Sequence, residues 1–91
     1  MTAVSGDLTP DATGTYEPTT VTNGKPAWAS TTPGWYVYWD IDFELWILNS
    51  VLGQAGTDAG PHWESGAGDD PTAIEYYWAN GATGVATFTL P

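Results

Sequence analysis

Apolar and polar positions alternate over short stretches of this chain, and the stretches are separated by Gly, Pro, Asn and Asp. Alternation with a period of two marks strands whose faces meet different surroundings, and those four residue types mark turns. The densest apolar stretch is residues 35–48, WYVYWDIDFELWIL, which holds three of the six Trp. It predicts a β-hairpin: a first arm from Trp35 to Trp39, a short acidic turn, and a second arm from Glu44 to Leu48. A helix would need a period near 3.6 over ten or more residues, and Asp40-Ile41-Asp42 interrupts it. In the first arm Trp35, Val37 and Trp39 share one face while Tyr36 and Tyr38 share the other. Both faces are apolar, so this arm is expected to be a central strand covered on both sides. Residues opposite one another on paired strands lie roughly 5 Å apart, which lets rings of the two arms meet across the hairpin.

The remaining segments follow the same grammar. Residues 2–8 predict a first strand ending at a Gly-Asp turn, and residues 14–16 a brief strand stopped by Glu17-Pro18. Asn23-Gly24 is a strong hairpin signal, because both residues tolerate positive φ in a type I′ turn. Residues 26–30 read as a strand with Pro26 at its start, where a missing N–H is tolerated. After the central hairpin, residues 49–53 predict a strand end or a loop with an apolar anchor, and residues 54–60 a loop. Residues 61–65 predict a short edge strand, residues 66–71 a mobile loop, and residues 74–78 an aromatic strand. A second Asn-Gly, Asn80-Gly81, precedes a cleanly alternating last strand over residues 84–90. That makes about seven short strands with turn signals every eight to twelve residues. The expected fold is all-β: a small antiparallel β-sandwich or β-barrel, loop-rich in its second half, with the two terminal strands paired antiparallel to close the sheet. Ala12-Thr13-Gly14 recurs as Ala82-Thr83-Gly84, too short a match to assign an internal repeat.

Length bounds the chain to one domain over residues 1–91. A chain this short buries only about 60–65% of its unfolded surface, and Trp and Tyr are efficient residues with which to do it. The absence of Cys rules out a disulfide framework and thiolate chemistry, and favours folding in a reducing cytoplasm. No basic segment followed by an apolar run comes after Met1, so no signal peptide is expected, and no apolar run reaches the length of a membrane span. Eleven Asp and Glu face a single Lys, giving a formal charge of −10. That balance excludes nucleic acid as a partner, since phosphate neutralisation needs Lys and Arg, and it excludes anionic membrane surfaces. The dispersed acids are expected to serve solubility. Because the only Lys precedes Pro26, trypsin has essentially no cleavage site.

Candidate chemistry is sparse. His62 is the only imidazole and follows Gly60-Pro61, which predicts an exposed or edge residue without a nucleophile–base arrangement. An enzyme is not expected, and neither is a cofactor. Asp40, Asp42 and Glu44 alternate through the central turn and are a weak Ca²⁺ candidate, lacking the EF-hand spacing and its Gly; solvated turn acids are the simpler reading. Trp63, Tyr76, Tyr77 and Trp78 are the candidate contact residues. Exposed rings stack on sugar faces beside acids that bind hydroxyls, whereas in a small domain without disulfides the same rings serve as core or subunit interface.

The ordered pieces Val4-Ser5-Gly6, Gly14-Thr15-Tyr16, Asn23-Gly24-Lys25-Pro26, the aromatic strand ending in Trp39-Asp40, Trp46-Ile47 and Ala82-Thr83-Gly84 resemble a loosely defined family. Its members are small β-rich modules of tailed-bacteriophage virion proteins and of marine bacteria. The resemblance covers nearly the whole chain in short pieces and carries no catalytic residues. It implies a virion-associated structural protein, a capsid decoration or a tail or fibre component. Such a protein would be made in the host cytoplasm, act through other virion proteins, and occur as a homo-oligomer or in many copies. The alternative reading is a carbohydrate-binding module or adhesin tip that uses exposed Trp and Tyr on a host glycan.

Overall fold

Eight antiparallel strands form one sheet in this computed structural model, which describes residues 2–32, 34–53, 60–65, 71 and 76–89, with Trp78 described by its backbone alone. The strands are β1 (Ala3–Ser5), β2 (Gly14–Pro18), β3 (Trp28–Ser30), β4 (Tyr36–Asp40), β5 (Leu45–Asn49), β6 (His62–Glu64), β7 (Tyr77–Ala79) and β8 (Thr87–Thr89). Their spatial order is β7-β6-β5-β4-β3-β2-β1-β8, so each strand from β1 to β7 lies beside its sequence neighbours and β8 returns to β1. The terminal strands pair antiparallel, Val4 opposite Phe88, as expected. The two free ends of the sheet then meet: the Tyr76 N–H donates to the Ala86 carbonyl at 2.8 Å, and the Ala86 N–H donates back at 2.9 Å. The result is an up-and-down meander curled into a small barrel, with the Tyr76–Ala86 bridge spanning the last seam among the described residues. Closure of this kind removes the unpaired edges of an open sheet.

The turns follow their residues. Asn23-Gly24 (φ 54° and 82°) and Asn80-Gly81 (φ 52° and 96°) occupy the left-handed region, as a type I′ turn requires. The first is clamped by reciprocal Thr22–Lys25 backbone bonds. The central hairpin pairs Asp40 with Leu45 across a four-residue turn whose last residue, Glu44, has φ 55°. β2 runs on through Glu17 and Pro18 rather than stopping before them, and residues 61–65 yield an interior strand rather than an edge, because β6 is paired with both β5 and β7. The loops expected over residues 54–59 and 66–70 and the strand start at 74 and 75 lie outside the described residues.

The barrel is filled from within. Trp28, Trp46, Trp63, Tyr16, Tyr76 and Phe88 are buried on the inner face, with Val4, Val37 and Leu48 between them. An eight-stranded barrel has an interior just wide enough for side chains. The rings meet at an angle to one another: Trp39 and Trp46 lie 5.4 Å apart across the central hairpin, Trp28 and Phe88 5.0 Å, and Trp35 and Trp63 5.5 Å. Such tilted pairs place a positive ring edge against a negative face. Backbone carbonyls satisfy the polar atoms of three of these rings. The Tyr16 hydroxyl donates to the Ala12 carbonyl, the Tyr76 hydroxyl to that of Pro71, and the Trp63 indole N–H to that of Gly84.

Alternation sends Tyr36, Tyr38 and Asp40 to the outer face of β4, and Leu45, Ile47 and Asn49 to the outer face of β5. There Ala27, Tyr38 and Ile47 are buried as a second, smaller cluster, with Leu52 packed against it. Leu52 is the apolar anchor expected after the hairpin. Asn49 fixes the exit of the chain: its side-chain amide donates to the Tyr38 hydroxyl at 2.9 Å, and its carbonyl oxygen accepts the Ser50 N–H.

Candidate functional site

The four contact residues named from the sequence do not form one surface. Trp63 and Tyr76 are buried in the barrel core, so neither ring is presented to a partner or a sugar. Their strands dictate this: Trp63 lies opposite Leu48 of β5, on the inward side of the alternation. Tyr77 points the other way and is half exposed beside Glu64, its cross-strand neighbour. Trp78 sits opposite Trp63 in the backbone register, and its side chain is outside the described residues.

His62 corrects the sequence reading. Instead of being exposed, it is buried on the outer side of β6, with its ring bonded at both nitrogens. Nδ1 lies 2.7 Å from the Gly60 carbonyl, which only accepts, so Nδ1 carries a proton. Nε2 lies 2.5 Å from the Glu64 carboxylate, two residues along the same strand and therefore on the same face. The imidazole thus ties the approach to β6 to the strand itself.

The central turn acids also separate. Asp40 is buried, not solvated, and its carboxylate accepts the N–H groups of Asp42 (2.9 Å) and Phe43 (3.4 Å). That oxygen is committed to shaping the turn, while Asp42 and Glu44 stand in solvent. Among the described residues no three His, Asp or Glu side chains converge as a metal site, and Asp40, Asp42 and Glu44 are among those described.

What the fold does bring together is one end of the barrel. The β4–β5 turn and the β2–β3 turn are joined where the Asn23 side-chain amide donates to the Trp39 carbonyl at 2.8 Å. Beside this bond the Lys25 ammonium lies 4.9 Å over the Trp39 ring, a cation–π contact that occupies the chain's only Lys. From this frame Ile41 and Phe43 project from the first turn and Val21 from the segment leading into the second, all exposed. The sequence carried a signal for them: apolar residues at a bend where Gly, Asn, Asp or Ser is usual.

Burial also raises the pKa of two tyrosines. Removal from water holds Tyr16 in its neutral form well above the ordinary phenol range, with the Asp11 charge adding to the effect. Burial pushes Tyr38 up to about 12; the Asn49 bond opposes this and the Asp40 charge supports it. Both hydroxyls are structural donors or acceptors, not acid–base groups for chemistry near neutrality.

Comparison with protein-family models, with curated proteins and with solved structures found no match.

Proposed function

We propose that the protein is a non-catalytic structural subunit of a bacteriophage-like particle, a capsid decoration or a tail or fibre component, that works by protein–protein assembly. The observation that supports this most is where the aromatic residues go. Trp28, Trp46, Trp63, Tyr16, Tyr76 and Phe88 fill the barrel, so the interior is a scaffold, not a ligand cup. Function is then left to the outer surface, where apolar side chains stand out at turns and the charge is strongly acidic. The resemblance of its motif order to tailed-phage virion modules supplies the setting. In this reading the chain is made in the host cytoplasm and incorporated in many copies. The glycan reading needs a platform of two or more exposed rings beside acids, and the inward turn of Trp63 and Tyr76 removes two of its four candidates.

The test is the composition of particles purified on a density gradient from producing cells. Quantitative mass spectrometry should find this chain at a fixed copy number relative to the major shell or tail protein. Finding it only in the soluble fraction, with specific binding on a glycan array, would overturn the proposal in favour of the sugar reading.

A further inference from the structure

Turns exposed to solvent normally carry Gly, Asn, Asp, Ser or Pro. At the end of the barrel described above, Ile41 is 60%, Phe43 45% and Val21 65% exposed. The frame beneath them is cross-linked by hydrogen bonds. Asp40 spends a buried carboxylate on the turn's own N–H groups, Glu44 takes the left-handed conformation, and Asn23 bonds the neighbouring turn to Trp39. Apolar side chains held on a fixed frame lose little freedom when they dock. Charge then identifies the partner. Asp42 and Glu44 alternate with Ile41 and Phe43, and the chain as a whole carries −10. With Lys25 held over the Trp39 ring, two copies meeting at this end would set Asp42 and Glu44 of one toward those of the other, whereas a surface edged by Lys and Arg would complement them.

We propose that Val21, Ile41 and Phe43, rimmed by Asp42 and Glu44, dock into an apolar depression edged with Lys and Arg on a different protein of the particle. This rests on the assembly reading above and locates its interface.

The experiment uses particles from cells in which the gene for this chain is deleted, to which purified protein is added back at 50 and 500 mM NaCl. The wild-type protein should rebind, more weakly at high salt. I41S/F43S should lose roughly tenfold or more in affinity, as removal of interface anchors does, with an unchanged melting midpoint. D42N/E44Q should bind more weakly at low salt and show a flatter salt response, and Tyr77→Ser on β7 should behave as wild type. Rebinding of I41S/F43S at wild-type strength would overturn the proposal while leaving the assembly reading standing. Binding insensitive to both salt and D42N/E44Q would overturn the basic rim. A wild-type homo-oligomer in light scattering that I41S/F43S dissolves would replace the heterologous partner with a second copy. Failure of the wild-type protein to rebind would take down the assembly reading and this proposal together.

Discussion

Gly6 and Gly14 share nearly the same backbone conformation, φ 131° and 133°, and differ in what surrounds them. A Cβ added at Gly6 would lie 2.3 Å from the Val85 carbonyl oxygen, while one added at Gly14 would meet nothing within 4 Å. The pair therefore separates conformational strain from crowding at the β1–β8 seam. An L-residue in this region of φ costs about 1–3 kcal/mol, and both alanine variants incur it. Both also share the small gain from a stiffer unfolded chain, which cancels in the comparison. Gly6→Ala must in addition push the two backbones apart by roughly 1 Å, and overpacking of that kind costs about a further 1–3 kcal/mol. Gly14→Ala is thus expected to destabilise by about 1–3 kcal/mol and Gly6→Ala by about 2–6 kcal/mol. For a domain of this size each kcal/mol moves the melting temperature by about 4–8 °C, so Gly6→Ala should melt about 4–24 °C below Gly14→Ala. Calorimetry or tryptophan fluorescence on matched samples reads this directly. Equal midpoints would refute the reasoning, because Gly6 would then not lie against the Val85 carbonyl just before β8.

Three further predictions test the interior and the turns. Trp63→Phe leaves the Gly84 carbonyl without its indole donor and opens space in the core, for an expected loss of about 2–4 kcal/mol in urea denaturation with an unchanged m-value; a loss under about 0.5 kcal/mol would contradict the inward placement of the ring. Asp40→Ala removes the acceptor of two turn N–H groups and should cost about 1–3 kcal/mol, while Asp40→Asn keeps an acceptor and should cost less than half as much; equal losses would contradict the turn geometry. Because Tyr38 holds its proton up to about 12 and Tyr16 is also raised, both against an unfolded value near 10, their contribution is complete below about pH 10. Above it the unfolded chain ionises first, so stability should fall by up to about 1.4 kcal/mol per pH unit for each group, less steeply in Tyr38→Phe. Stability that stays flat from pH 9 to 11 would contradict the burial of these hydroxyls.

The sequence carried most of the fold because its signals were local. Strict alternation in residues 35–39 divided the side chains of β4 correctly between its two faces, without saying which is inner, and the two Asn-Gly pairs set their turns through a conformation few other residues tolerate. The run of β2 through Pro18 and the interior place of β6 were not legible, since a three-residue strand such as β6 leaves almost no period to read and nothing local says which strands flank it. The site was harder still. Whether Trp63 or Tyr77 faces inward depends on register, and one step along a strand reverses the side a ring occupies. His62 was misplaced for the same reason: its loop context predicts exposure, but its strand position puts it between the Gly60 carbonyl and Glu64. The burial of Asp40 was hidden because an acid that shapes a turn reads in sequence like one that faces water.

The most direct test of the central claim is hydroxyl-radical footprinting of the protein free and in assembled particles. Val21, Ile41 and Phe43 should react when the protein is free and become protected on assembly. Tyr77 should react in both states, and Trp63 and Tyr76 in neither. Unchanged reactivity at Ile41 and Phe43, or reactive Trp63 in the free protein, would contradict a filled barrel that works through its turn-bearing end.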